Sequence, residues 1–161
     1  MTPFHIALYQ PEIPPNTGNI IRLCANIGCP LHLIQPLGFE LDNKRLRRAG
    51  LDYKELAKVT IHQDFPAFLE AMQQRLIYAV STKGKRYYTD VTPQDYLGKE
   101  AVYLLGAETR GLPDEFLKQT AADQIITLPM QANSRSLNLS NSAAIIAYHA
   151  WSIIDFQPLS D

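Results

Sequence analysis

The chain has 161 residues, 46% of them hydrophobic and 19% charged, enough apolar surface for one core and too little charge for a disordered chain. Lys and Arg number 15 against 16 Asp and Glu, a net charge of −1, so binding through a basic tail is excluded and any nucleic-acid surface must be a local patch inside a neutral total.

The first apolar run, FHIALYQ from Phe4, is short, flanked by turn residues and reads as a strand buried on both faces. After the loop QPEIPPNTGN, a helix is expected over 16–28, with Asn16 or Thr17 as N-cap and apolar positions at Ile20, Ile21, Leu23, Cys24, Ala25 and Ile27. Its polar residues Asn19, Arg22 and Asn26 follow i, i+3, i+7 and share one face. Arg22, on the first turns after a strand end, is expected to point into the crevice beyond that end, and it reads either as a guanidinium that holds an anion or as the partner of a carboxylate at the sheet edge. Cys24 and Cys29 have no second pair, which points to reduced core thiols rather than a disulfide framework or zinc site.

A second strand follows at LHLIQPL from Leu31, then the helical stretch NKRLRRAG from Asn43 and a capped helix in DFPAFLEAMQQ from Asp64. Strands are expected in RLIYAVS from Arg75, AVYLLGA from Ala101 and QIITLP from Gln124, with a helix in PDEFLKQ from Pro113 and a closing helix in NLSNSAAIIAYHAWSII from Asn138. The alternation predicts one α/β domain over 1–161, with a parallel sheet and helices on both faces. His5, His32, His62 and His149 are scattered without spacing such as H-E-x-x-H, so no metal is expected. No apolar run approaches the roughly 20 residues of a membrane span and no leader is evident, which predicts a soluble, cytoplasmic protein without membrane partners.

Ligands of open α/β sheets sit beyond the carboxyl ends of the strands, so the loops there carry the chemistry. GAETRGLP lacks both G-x-G-x-x-G and G-x-x-x-x-G-K-S/T, while Gly106 and Gly111 permit close backbone approach and Glu108 and Arg110 place opposite charges in one turn. SRSLNLSNS sets Ser134, Ser136, Asn138, Ser140 and Asn141 before a helix. Capping uses one or two of them, and the surplus suits either an uncharged polar ligand or a structural turn. The clusters KRLRR and KGKR hold seven of the 15 positive charges and read as phosphate contacts or as solvated helix faces. The closing helix is apolar nearly all round, so it is buried on several sides, either by a second subunit in a homodimer or within one chain.

Together NTGNIIRLCAN, LLGAETRGLP and LPMQANSRSLNLSNS resemble the three motifs of the SPOUT superfamily of RNA methyltransferases. PEIPPNTGNIIRLCAN, DNKRLRRAGLDY and the overall length are similar to its minimal, TrmL/YibK-type members, which methylate the 2′-hydroxyl of the wobble cytidine or uridine of tRNA. The resemblance spans essentially the whole chain, departing at GAETRG, where relatives often carry GPETRG, and in the tail past Trp151. It implies a C-terminal deep trefoil knot, S-adenosylmethionine as cofactor, no separate RNA-binding domain and no metal. For the cofactor it implies Val80, Ser81, Gly106, Glu108, Leu128, Met130, Ser136 and Leu137. Catalysis falls to Arg22, Asn16, Glu108 and Asn138, and RNA binding to Arg22, Lys44, Arg45, Arg47 and Arg48 on the surface of a homodimer.

Arginine, with a pKa above about 12, is a poor general base, so Arg22 is expected to clamp the nucleotide's phosphate and polarise the hydroxyl. The competing readings are an RNA-binding relative without catalysis, a methyltransferase for another tRNA or rRNA ribose, and a generic nucleotide-dependent α/β enzyme. The last would need a phosphate loop or a Ser-His-Asp set, and neither is present.

Overall fold

Alternate side chains of the central strands feed two separate cores, and this is what places helices on both faces of the sheet. In the computed structural model, which describes residues 2–42, 44, 48, 50–56 and 58–159, strand β1 (Phe4–Tyr9) points Phe4, Ile6 and Leu8 into one core and Ala7 into the other. The pattern repeats in the parallel strand Ala101–Leu105, where Ala101, Tyr103 and Leu105 join the first core and Val102 and Leu104 the second. The first core is completed by helix α1 (Pro14–Ile27), through Ile20, Ile21 and Cys24, and by the closing helix Leu139–Ser152, through Ala143, Ile146 and Ala147. Helices Phe65–Ala71 and Asp114–Gln119 cover the other face through Phe68 and Leu117.

In chain order the strands are β1, β2 (Leu31–Ile34), β3 (Val59–His62), β4 (Leu76–Val80), β5 (Arg86–Tyr87), β6 (Ala101–Leu105) and β7 (Ile125–Thr127). They form one sheet of order β3-β2-β1-β6-β4-β7-β5, every pair parallel. The helices are α1, α2 (Tyr53–Leu56), α3 (Phe65–Ala71), α4 (Asp114–Gln119) and α5 (Leu139–Ser152). The expected α/β sheet and its five strands are present. Two edge strands are additional: β3 and the two-residue β5 lie inside polar stretches with no strand-length apolar run. Of the expected helix over 43–50, Lys44 and Arg48 have helical backbone and exposed positions. Asn43, Arg45, Leu46, Arg47 and Ala49 lie outside the described residues. Cys24 and Cys29 are buried free thiols, and burial pushes the Cys29 thiol well up.

The start of α1 differs from expectation. Neither Asn16 nor Thr17 caps it; Pro14 and Pro15 form its first turn, and Ile13 occupies the cap position without a side-chain bond. Proline suits that turn because its φ is preset and it carries no N–H to leave unpaired. Gly28, at φ 80°, ends the helix in the left-handed conformation.

Three histidines that are far apart in sequence meet in space. Parallel registers pair Ala7 with His32 and Ile34 with His62, so His5, His32 and His62 form a diagonal row across β1, β2 and β3. His5 Nδ1 lies 2.9 Å from His32 Nε2, and His32 Nδ1 lies 2.9 Å from His62 Nε2, with Phe68 packed edge-on against the latter two rings. Arg75 Nε donates to Glu100 Oε2 at 2.6 Å, and His5 Nε2 faces that same oxygen at 3.5 Å. The rings run in line instead of converging, and among the described residues no group of His, Cys, Asp and Glu is arranged to hold a metal ion.

Burial holds the row neutral, lowering the pKa of His5 to about 4 and of His32 to about 3, and lowering that of His62. A histidine depressed in the folded state gives stability that is complete above its ordinary value of 6.5 and is lost as pH falls toward the folded value. The urea-unfolding free energy is therefore expected to fall between pH 6.5 and 4, at up to about 1.4 kcal/mol per pH unit for each histidine. His32→Gln should flatten the slope, and an acid limb identical to wild type would remove the row as its cause.

Candidate active site

All strands point the same way, so the loops that follow β1, β4, β6 and β7 gather at one end of the sheet. There they enclose a cavity of about 640 Å³, within the range that holds a nucleoside-sized ligand. Val80 and Ser81 reach it from the end of β4, with the Ser81 N–H donating to the Ile126 carbonyl at 3.0 Å. Gly106 and Glu108 reach it from the β6 loop, and Asn16 from α1. Leu128, Met130, Ser136, Leu137 and Asn138 line it from the segment between β7 and α5.

The β6 loop doubles back on itself. The Gly111 N–H donates to the Ala107 carbonyl at 2.9 Å, with Gly111 at φ +65°. A Cβ on Gly106 would lie 2.4 Å from the Gly111 carbonyl carbon, so no side chain fits there.

Glu108 stands at the centre of the loops. Its Oε2 accepts the Glu12 N–H at 2.7 Å and its Oε1 the Ile13 N–H at 3.1 Å, so the carboxylate sits at the N-terminus of α1, where the helix dipole favours negative charge. Oε1 also accepts from Asn16 Nδ2 at 3.5 Å, Asn16 Oδ1 accepts from Asn138 Nδ2 at 3.0 Å, and Asn138 Oδ1 accepts the Asn141 N–H at 3.1 Å, capping α5. Ser140 Oγ donates to the same Asn138 oxygen at 2.6 Å. An ionised carboxylate can only accept, so it dictates which way both amides face, and one directed chain of bonds joins three loops.

A second tie lies beside it. Glu12 Oε1 accepts the Thr109 N–H at 3.1 Å and the Thr109 hydroxyl at 2.8 Å, and these bonds lower the Glu12 pKa. Arg110 Nη2 donates to Gln10 Oε1 at 3.1 Å. Arg110, singled out with Glu108 in the sequence of this turn, also lines the cavity, and so do Thr109, Lys83 and Arg135, which sequence reasoning did not place there. Their single polar side chains carry no spacing signal.

Arg22, expected to point into the crevice, is not on the cavity wall. Six residues beyond Asn16 it lies about 9 Å along α1 and about 240° around it, which turns it to the exposed helix face. Its side chain is 48% exposed and its Nε lies 3.8 Å from Glu55 Oε1. The KGKR cluster is largely committed to internal pairs: Arg86 Nη2 lies 3.0 Å from Asp95 Oδ2, and Lys83 pairs with Asp114 at 2.5 Å.

Three loops tied around a nucleoside-sized crevice at the strand ends define an α/β enzyme whose chemistry lies in those loops. The profile of the SpoU rRNA methylase family matches residues 3–148, and the chain belongs to that family. A tRNA (cytidine(34)-2′-O)-methyltransferase of Saccharophagus degradans is 51% identical over 153 residues, covering 95% of this chain and 97% of the relative. A solved structure of a protein described for 2′-hydroxyl methylation of C/U34 on tRNA is 39% identical, covers 96% of this chain and 97% of its own, and superposes with a TM-score of 0.82. An S-adenosylmethionine-bound rRNA methyltransferase from Sinorhizobium meliloti shares the fold at 23% identity and a TM-score of 0.75, over 94% of this chain and 58% of its own.

Removing the central carboxylate should loosen α1 as well as the cavity. Glu108→Ala is expected to destabilise the fold by about 1–2 kcal/mol in urea, the upper part of the range for helix caps, and to speed hydrogen exchange at the Glu12 and Ile13 amides. Unchanged exchange at both amides would show that Glu108 does not cap the helix.

Proposed function

We propose that this chain transfers a methyl group from S-adenosylmethionine to the ribose 2′-hydroxyl of the wobble nucleotide of tRNA, cytidine or uridine. The observation that carries this reading is the chain of bonds from Glu108 through Asn16 to Asn138, which binds the three motif loops around one cavity. Near-full-length similarity to a tRNA (cytidine(34)-2′-O)-methyltransferase supports the choice of substrate.

The cavity suits the cofactor in size and chemistry, mixing apolar walls at Val80, Leu128 and Met130 with the hydroxyls of Ser81 and Ser136 and the close backbone approach at Gly106. Val80, Ser81, Gly106, Leu128, Met130, Ser136 and Leu137 would hold it. When bound, it supplies an electrophilic methyl group on a sulfonium.

The protein's own work is positioning, which in favourable intramolecular models lowers a barrier by up to about 7–11 kcal/mol. Asn138 orients the nucleotide, with its amide direction set through Asn16 by Glu108. In this reading Arg22 reaches the nucleotide from outside the cavity of its own chain, clamps its phosphate with a permanently charged fork and polarises the 2′-hydroxyl, whose proton passes to phosphate or solvent. Glu108 acts on the reaction by holding the loops. Lys44 and Arg48, both exposed, add phosphate contacts, and Arg45 and Arg47, outside the described residues, are assigned the same role.

The working unit in this reading is a cytoplasmic homodimer of single-domain chains, each with the trefoil knot implied by the resemblance. The outer face of α5 supports a dimer, because Ile145 and Tyr148 stand exposed three residues apart on it, with the Trp151 ring packed against Tyr148. No helix among the described residues is long and apolar enough to cross a membrane.

Incubation of bulk tRNA with the purified protein and labelled S-adenosylmethionine, followed by nuclease digestion and mass spectrometry, is expected to place the methyl on the ribose at the wobble position. Label on a base, or at another ribose, refutes the assignment. Tyr148→Glu should convert the sedimenting species from dimer to monomer at micromolar concentration, and a wild-type chain that already sediments as a monomer removes the dimer.

A further inference from the structure

The segment 50–56, which follows the basic cluster, does not line the cavity described above, yet it is built against Arg22. Gly50 is held at φ +78°, and a Cβ there would lie 3.0 Å from Arg22 Nη2, so this position combines a left-handed backbone with direct proximity to the guanidinium. Leu51 is buried in the α1-side core and anchors the segment.

Asp52 and Glu55 then fix each other. Asp52 Oδ1 accepts the Lys54 N–H at 2.9 Å and the Glu55 N–H at 3.0 Å, while Glu55 Oε2 accepts the Asp52 N–H at 2.8 Å. This is the reciprocal arrangement of a capping box at the start of α2. It leaves Glu55 Oε1 3.8 Å from Arg22 Nε, an electrostatic contact too long for a hydrogen bond, with the Glu55 side chain only 22% exposed.

We infer that Glu55 is a positioning residue for Arg22: its carboxylate, immobilised by the Asp52 amide, holds the Nε edge of the guanidinium and so orients the fork that meets the nucleotide. This rests on the proposed role of Arg22. An ordinary exposed ion pair contributes little because two mobile side chains must be ordered to form it. Here the carboxylate is ordered by a helix cap whether or not Arg22 is present, so the pair loses less freedom on forming than two mobile side chains would. The acid also compensates the charge that Arg22 carries before RNA arrives, which lets the residue be aimed without binding phosphate indiscriminately.

The test is a double-mutant cycle in methyl transfer to tRNA, using Arg22→Ala, Glu55→Ala and the double variant. Contacting pairs couple by roughly 2- to 150-fold, and Glu55→Ala is expected to lower kcat about tenfold while changing the KM for tRNA less than about threefold. It should cause no further loss in the Arg22→Ala background. Losses that multiply, or a Glu55→Ala enzyme with wild-type kcat, overturn the proposal. Glu55→Gln guards against a folding artefact, since its amide oxygen can still accept the Asp52 N–H while the charge is gone. It should keep the wild-type thermal midpoint and show the same fall in kcat; wild-type kcat overturns the inference. The Arg22 Nε–H signal in nuclear magnetic resonance, read without RNA, separates the contact with Glu55 from the catalytic role of Arg22. A signal shifted by Glu55→Gln together with a fully active Arg22→Ala enzyme means that the contact exists but the catalytic reading of Arg22 has failed. A signal untouched by Glu55→Gln, with Arg22→Ala inactive, means that Arg22 acts without Glu55.

Discussion

One carboxylate holds the functional end of this molecule together. Glu108 accepts two backbone N–H groups at the start of α1 and the amide of Asn16, whose oxygen in turn receives the amide of Asn138 at the start of α5. A charged acceptor forms stronger bonds than a neutral one, and because it cannot donate, it sets the direction of every bond that follows. The two helices that begin here both pack into the same core, so the orientation of the loops is tied to the packing of the sheet. The paired prolines contribute by removing two N–H groups from the first turn of α1, which leaves fewer donors for Glu108 to satisfy.

Much of the fold was legible because a parallel sheet buried on both faces writes itself as short apolar runs. The runs at Phe4, Leu31, Arg75, Ala101 and Gln124 all became strands. Edge strands are covered on fewer sides and need no such run, which is why Val59–His62 and Arg86–Tyr87 went unread. The start of α1 was misread for a different reason. Asn16 has the chemistry of a cap, but the cap was supplied across the fold by a residue 92 positions away.

For the site, the loops were found by their excess of Gly, Pro, Asn and Ser, and the individual residues by resemblance. What neither could provide is the bonding among them, because Asn16 and Asn138 are 122 residues apart. Periodicity placed Arg22 on one helix face with Asn19 and Asn26, and it does lie on an exposed face. That face is turned away from the cavity of its own chain and toward the segment beginning at Gly50. Of the two readings first offered for Arg22, the structure shows the carboxylate partner, at Glu55, and the anion-holding role belongs to the proposal.

The histidine row bears on how the enzyme's acid behaviour is to be interpreted. His5, His32 and His62 lie across β1, β2 and β3 and none lines the cavity, yet they are among the groups whose protonation opposes folding in mildly acidic solution. A fall in turnover at low pH would therefore mix a shrinking folded population with any titration in the reaction itself. An apparent ionisation read from the acid limb of a rate profile belongs to the sheet until the folded fraction has been divided out.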